Sequence, residues 1–488
     1  MRILLKNLIK SVREVQLLGR DDIVISGIEY DSRRVQPGML FAAVPGYKSD
    51  GRKFIEQAIA SGAVAVLSDS PVNLQIPVLV AASVRQALSD IAAAFYGFPG
   101  HQLESVGTTG TNGKSTSVAA IRHILEIAGK KTGMINSLTY DTGLRQYKAD
   151  RTTPESLDMQ RYLYEMKEAG CTHASLEVSS HALVLHRVEN IDFKVGLYTN
   201  FSRDHLDFHN TMEEYLAAKK LFLKKLRGEN KVVVINRDVP EYVAFIPDAE
   251  CRVITYSAAG EKADILIHDA NLTANHSTFE LLMPSGTAKI STRLLGRYNL
   301  ANMAGAAAAA FALGIPTATI AAALETLEPV PGRFRPIIAG QPFSILVDYA
   351  HTPDAIERLC LSAREITRGR LIILFGCGGD RDKGKRPIMG KAATRHSDFA
   401  VVTSDNPRTE DPMKIIEDIL PGLNGDNYVV VPDRREAIRK VVKMAQPGDT
   451  ILLAGKGAED YQEIGAQKFP YDDTTEATAA LAEIGFKG

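Results

Sequence analysis

The segment Gly110-Thr111-Asn112-Gly113-Lys114-Ser115-Thr116 constrains this chain more than any other stretch. It follows a short strand-like run, Leu103 to Val106, and opens into an amphipathic helical pattern from Ser115 to Ala128. A strand, a glycine-rich loop and a helix beginning with Lys-Ser make a cradle for nucleotide phosphates. The glycines let backbone N–H groups close on phosphate oxygens, and the helix start adds a favourable dipole. Lys114 offsets charge, and a hydroxyl can hold magnesium. Thr108 stands where the usual spacing has its first glycine, so the competing reading is a Gly-Lys-Ser turn with no ligand. The flanking strand and helix favour phosphate binding, with ATP the expected nucleotide.

At 488 residues the chain exceeds one ordinary core, and roughly two to four domains are expected. Its hydrophobic share of 45% and charged share of 24% are those of a soluble globular protein. A formal net charge of −1 gives no overall drive toward nucleic acid or an anionic membrane, so local basic groups must meet any anionic ligand. Cys171, Cys251, Cys360 and Cys377 lack C-x-x-C spacing. Neither zinc nor a disulfide framework is expected, and a reducing compartment fits. The N-terminus intersperses Lys6, Lys10 and Arg13 among apolar residues, unlike a signal peptide. No run reaches the ~20 apolar residues that span a bilayer. The expectation is a cytoplasmic monomer that handles small molecules, without nucleic-acid or membrane partners.

Three blocks emerge, giving an α/β fold class with domains at 1–100, 101–332 and 333–488. The first mixes short strands with helical stretches and ends at a linker, Tyr96 to Gly100, that carries Gly97, Pro99 and Gly100. The second alternates strands and helices from the P-loop onward, which predicts a mostly parallel sheet, then becomes strand-rich from Cys251 to about Leu294. Alanine-rich Ala304 to Leu313 reads as a tightly packed helix, and Pro329, Pro331 and Gly332 mark a second linker. The third block repeats strand and helix, as in a Rossmann-like, doubly wound domain. Such domains bind ligands beyond the carboxyl ends of their strands, where Asp348 to His351, Gly376 to Lys383, Asp405 to Arg408 and Gly455 to Gly457 fall.

Glu177 ends a buried-looking strand and is placed to hold magnesium, or to cap the Ser-Ser turn that follows. His181 and His205 lack metal-ligand spacing, and Lys219 and Lys220 read as solvated lysines on an amphipathic helix. Asp405-Asn406-Pro407-Arg408 offers a carboxylate, an amide and a guanidinium, groups that suit an amino acid. An Asx-type turn carrying a surface arginine fits the same residues.

Taken together, these residues resemble the Mur ligase family over essentially the whole chain. The resemblance rests on Gly110 to Thr116, Glu177 to His181, Ser202 to Asp207, Gly296 to Asn299, Gly332 to Phe334, Asp348 to Pro353 and Asp405 to Arg408. It implies an N-terminal domain for a uridine nucleotide, a central ATPase and a C-terminal domain for an incoming amino acid. Ser32, Thr152, Thr153, Ser180 and Arg187 would hold a UDP-N-acetylmuramoyl-dipeptide. Gly110, Thr111, Asn112, Gly113, Lys114, Ser115 and Thr116 would bind ATP, joined by Asn299, Arg333 and Asp348 from across the domain boundary. Ser115, Glu177 and His205 would ligate Mg2+. Lys219 matches a lysine that the family carbamylates, which would turn a cation into a further magnesium ligand and replace the solvated reading. Lys114, Lys219, Glu177 and His205 are thus the catalytic candidates.

The resemblance also implies that Arg381, Asp405, Asn406, Arg408, Gly455 and Glu459 contact meso-diaminopimelate. Arg408 would read its distal carboxylate. Lysine lacks that group and would leave the arginine unpaired, at a cost of roughly 1–3 kcal/mol. A lysine-adding ligase and a P-loop switch without ligase activity are the alternatives. Two positions depart from the family pattern: Ala458 replaces a histidine, and Leu185 lies where relatives can carry glutamine.

Overall fold

The strands of this chain are short, apolar and mostly buried on both faces, the signature of parallel sheets covered by helices. A computed structural model describes residues 1–46, 50–273 and 276–486. It separates into two compact units: Met1–Phe201, His205–Thr255 and Ala308–Ile315 in the first, and Ser202–Asp204, Tyr256–Ala307 and Pro316–Gly488 in the second. The architecture is the expected α/β one, with a large, mostly parallel central sheet and a separate C-terminal sheet.

The first unit begins with a five-stranded sheet in the order Gln16–Leu18, Val78–Val80, Ala65–Ser68, Met39–Ala42, Gly27–Glu29. It is parallel except for the antiparallel first strand. The helix Val84–Phe95, capped where Ser83 accepts the Gln86 N–H, buries Val84, Leu88, Ile91 and Phe95 in the same core. The residues that follow it form a packed turn. Gly100 accepts the Asp192 N–H at 3.0 Å, and a Cβ on Gly100 would lie 2.5 Å from the Asn190 carbonyl.

The P-loop strand Glu104–Thr109 sits mid-sheet, parallel to His173–Glu177 on one side and Phe193–Tyr198 on the other. Thr132–Ile135 and Val232–Asn236 extend the parallel run outward. The hairpin Thr139–Asp141 with Gln146–Lys148 adds an antiparallel edge that periodicity did not reveal. The P-loop helix covers Lys114–Ile127 and buries Val118, Ile121 and Ile124.

In the second unit, Ile265–Leu272, Ser277–Met283 and Gly286–Thr292 form an antiparallel extension, whereas Tyr256 and Ser257, at the head of the strand-rich stretch, pair parallel with Ile265 and Leu266. The helix Arg297–Ala312 buries Ala304 and Ala306 to Ala310 completely, as a helix apolar all round requires. The C-terminal sheet runs Arg335–Ile337, Ser344–Asp348, Thr450–Ala454, Leu371–Phe375, Phe399–Val402, Tyr428–Val430. Only its first strand is antiparallel. The strand order reverses around Thr450–Ala454, so the loops at the carboxyl edge open there. No helix among the described residues is long and apolar enough to cross a membrane. The four thiols are unpaired, and burial pushes Cys360 and Cys377 up to about 12, where they are inert.

Candidate active site

Gly110 leaves the P-loop strand with φ +153°, and a Cβ there would stand 1.8 Å from Thr199 Oγ1. Glycine is the residue that fits. Thr199 Oγ1 donates to the Asn112 carbonyl at 2.7 Å, and Asn200 Oδ1 accepts the Asn112 N–H at 2.8 Å. The loop is therefore shaped from the neighbouring strand end before any ligand arrives. Lys114 Nζ curls back onto the carbonyls of Gly110 and Thr111, at 2.9 and 2.7 Å. Carbonyl oxygens here stand in for the phosphate oxygens that the ammonium would meet.

Parallel pairing sets Glu177 level with Thr108, which brings its buried carboxylate beside the loop. Glu177 Oε1 accepts the Ser137 N–H at 3.0 Å, and Ser137 Oγ lies 2.9 Å from Ser115 Oγ. A carboxylate and hydroxyls in this arrangement are the hard oxygen donors that Mg2+ prefers. Among the described residues, no three His, Cys, Asp or Glu side chains group to hold a metal ion on their own.

Thr153 Oγ1 donates to the Glu177 carbonyl at 2.8 Å, and Arg187 reaches the Thr153 carbonyl at 3.2 Å and Glu155 at 2.7 Å. Thr152 adjoins this network and is half-buried. Ser180 Oγ contacts His209 Nε2 at 2.9 Å. The His209 ring lies 5.5 Å from that of His181 and 5.2 Å from that of Tyr215. Burial, then the neighbouring His205 and His209, push His181 down to about 4, so it is neutral at pH 7. His205, at φ +56°, sits 4.9 Å from His181 and 5.7 Å from Tyr215, ring to ring.

Tyr215 joins the parts: its hydroxyl meets Thr111 Oγ1 at 3.0 Å, and Lys219 Nζ lies 4.5 Å above its ring. The two lysines separate here. Lys219 is 1% exposed, whereas Lys220 turns outward to pair with Asp248. The solvated reading therefore holds for Lys220 and fails for Lys219. Ser32 lies farther along the first unit, buried and donating to Gln57 Oε1 at 2.9 Å.

The second unit gathers Asn299, Arg333 and Asp348. Asn299 is fixed to the Leu295 carbonyl at 2.9 Å, and neighbouring Tyr298 packs 5.3 Å from the Phe334 ring. Phe334 and Ala350 donate backbone N–H groups to Asp348, each at 2.8 Å. Burial pushes that carboxyl up, opposed by Arg333, whose guanidinium lies 4.9 Å over the Tyr349 ring. Gly332, at φ +67°, presses on Gly457 and Ala458; a Cβ there would lie 2.2 Å from the Ala458 nitrogen.

Asp405, Asn406, Gly455 and Glu459 converge on a fully buried lysine, Lys456. Its Nζ lies 2.8 Å from Asn406 Oδ1 and 3.3 Å from both Asp405 and Glu459. Asn406 Nδ2 donates to Glu459 at 2.8 Å, and an added Cβ on Gly455 would meet Asp405 Oδ2 at 2.9 Å. Arg381 is exposed, and its Cγ and the Arg408 guanidinium both border Gly378. Arg408 itself is not waiting for a partner. Its Nε donates to Glu463 at 2.9 Å and its Nη1 to the Gly379 carbonyl at 2.7 Å. The expectation that lysine would leave it unpaired is therefore corrected: Glu463 already neutralises it.

Sequence reasoning did not single out Ser137, Asn200, Tyr215, His209 or Glu463. Tyr215 had a signal, four residues before Lys219 on one helical face. Ser137 and Glu463 had none, because Ser137 arrives from the turn after Thr132–Ile135 and Glu463 from the strand Tyr461–Ile464.

A P-loop with a buried glutamate on the adjoining strand, followed by a doubly wound domain, is an arrangement that fits an ATP-using α/β ligase. The Mur ligase middle domain matches residues 108–310, the Mur ligase glutamate ligase domain residues 332–457, and the Mur ligase family catalytic domain residues 24–96. The chain belongs to the Mur ligase family. It is 43% identical to UDP-N-acetylmuramoyl-L-alanyl-D-glutamate--2,6-diaminopimelate ligase of Geobacillus kaustophilus (strain HTA426), over 96% of each chain. Identity to the ligase of that name from Geobacillus thermodenitrificans (strain NG80-2) is 44%, over 95% of this chain and 96% of the relative. A solved structure of a ligase with the same name superposes with a TM-score of 0.71 at 32% identity, covering 99% of both chains.

Proposed function

We propose that this protein joins meso-2,6-diaminopimelate to UDP-N-acetylmuramoyl-L-alanyl-D-glutamate at the expense of ATP, as a step of cytoplasmic peptidoglycan precursor synthesis. The observation that carries the reading is the full-length identity to diaminopimelate ligases, on a chain that keeps an ordered P-loop and an organised amino-acid constellation. The three-part division at residues 1–100, 101–332 and 333–488 is the organisation we assign to it.

The γ-carboxylate of the D-glutamate is a poor acyl donor, so the γ-phosphoryl group of ATP is first transferred to it, releasing ADP. Lys114 meets the charge on the transferring group in place of the carbonyls it now touches. Ser115 and Glu177 would hold Mg2+, with His205 and a carbamylated Lys219 as further ligands; the ion would supply charge compensation at the phosphates. As an ammonium, Lys219 cannot ligate a cation, so the carbamate is a requirement of this assignment. Thr152, Thr153, Ser180 and Arg187 bind the dipeptide part, and Ser32 the uridine diphosphate part. Asn299, Arg333 and Asp348 serve the nucleotide. The unprotonated amine of diaminopimelate then attacks the acyl phosphate; the C–N bond forms, the C–O bond to phosphate breaks, and the amine loses a proton. Asp405, Asn406, Arg408, Gly455, Glu459 and Arg381 bind the amino acid.

Phosphate release from ATP with the nucleotide dipeptide, comparing meso-diaminopimelate with L-lysine, tests this. Turnover with diaminopimelate is expected. Turnover with lysine in its place would keep the ligase and overturn the acceptor, and acceptor-independent hydrolysis would favour a nucleotide switch.

A further inference from the structure

We propose that Glu463 sets how sharply this chain separates acceptors with a second carboxylate from those without one, by occupying the Arg408 guanidinium that reads it. The inference rests on the amino-acid site assigned above.

Glu463 lies in the strand Tyr461–Ile464, paired antiparallel with Gln467–Pro470 in a two-stranded hairpin. The hairpin is fastened to the recognition loop largely through backbone. Glu463 N–H donates to Asn406 Oδ1 at 2.9 Å, Arg408 N–H to the Glu463 carbonyl at 3.0 Å, and Gly465 N–H to the Arg408 carbonyl at 2.7 Å. These bonds fix the Glu463 backbone beside Arg408, from where its carboxylate reaches Arg408 Nε at 2.9 Å. Both side chains remain partly exposed, at 21% and 26%, so a ligand can approach the pair.

Two consequences follow from charge. A dicarboxylic acceptor meets a guanidinium that is already neutralised, and its own carboxylate settles near a like charge, which weakens its binding. An acceptor without that carboxylate leaves Arg408 paired with Glu463 and incurs no penalty for an unpaired buried charge. Both effects compress the preference. Glu463→Gln retains an oxygen for Arg408 Nε and all three backbone bonds, and removes only the charge.

The test is kcat/KM for meso-diaminopimelate and for L-lysine in the intact protein, in E463Q, in R408A and in the double variant, with calorimetric titration of meso-diaminopimelate into wild type and E463Q. E463Q should raise the diaminopimelate-to-lysine ratio by roughly two- to fivefold, the size of one half-exposed charge contact. The gain should come from a lower diaminopimelate KM at unchanged ATP KM, and it should vanish in the R408A background. An unchanged or lower ratio, or a gain that survives R408A, overturns the proposal. Weaker binding of both acceptors would overturn it in favour of Glu463 gripping an ammonium. If lysine gives no rate, the diaminopimelate KM decides alone. Absence of turnover with either acceptor in wild type would remove the ligase reading instead, and the titration would still decide the role of Glu463. E463A serves as the second variant should E463Q unfold.

Discussion

The P-loop of the first unit is built from backbone and short hydroxyls, whereas the Asp405 to Arg408 cluster of the second, which we propose binds the amino acid, is built from interlocked charges. Around Gly110 to Ser115 the partners include Thr199, Asn200, Ser137, Tyr215 and the loop's own carbonyls, and Lys114 is the charged residue of the loop itself. Around Asp405 to Arg408 the shape depends on Lys456, Glu459 and Glu463, and nearby Arg434 is fully buried against Asp473 at 2.7 Å. A backbone cradle accepts any phosphate of the right geometry. A charge lattice discriminates among zwitterions, at the cost of desolvating each member. On the proposed function, the first arrangement serves a common nucleotide and the second an acceptor that must be told apart from close relatives.

The sharpest way to break this comparison is at the loop's single charge. Lys114→Ala should lower turnover by about 10³-fold, because no other charged side chain of the loop can take over its role on the transferring phosphoryl group. Near-normal phosphate release would remove the P-loop assignment and with it the contrast between the two sites.

A smaller effect is expected at Lys219, a long charged chain that the first unit buries beside its backbone-built site. Lys219→Ala should cost roughly 10²-fold in rate and recover in part when short carboxylic acids replace the carbamate. Full activity without them would show that no carbamate is needed. Lys220→Ala, one residue on, is the control: its partner Asp248 is half-exposed, and turnover should stay within about twofold.

This division also explains what the sequence disclosed. The P-loop was legible because its strand, loop and helix are contiguous, and the glycine at 110 answers to a local backbone need. The parallel strands of the C-terminal sheet were legible because each carries a run of apolar residues, as Leu371–Phe375 does, whereas the antiparallel edge Arg335–Ile337, Arg-Pro-Ile, carries no such run. The amino-acid site was only half legible. Asp405 to Arg408 stood out as a motif, but Lys456 and Glu463 reach it from 50 and 55 residues away, a separation at which no periodicity operates. Lys219 and Lys220 make the same point: adjacent lysines on one helix differ only in which way the helix faces, which packing by Tyr215 decides.

The smallest expected effect is a pH dependence confined to the charge lattice. Burial alone would raise the Asp405 carboxyl, but Lys456 and then Arg434 outweigh it and hold it below its ordinary 3.8. A carboxyl depressed in the folded state binds fewer protons there than in the unfolded chain. Its contribution to stability is therefore fully present above 3.8 and is lost as pH falls through the lower folded value. Asp405→Asn should cost about 1–3 kcal/mol at neutral pH, because Lys456 stays buried with one anion fewer. That deficit should hold steady above pH ~5 and shrink below pH ~4, where the unfolded chain's carboxyl takes up a proton that the folded protein does not. Urea unfolding of both proteins from pH 7 down to pH 3 measures the gap. A deficit that grew in acid would mean that Asp405 is not held ionised by Lys456, and the second site would then owe its shape to hydrogen bonds, as the first one does.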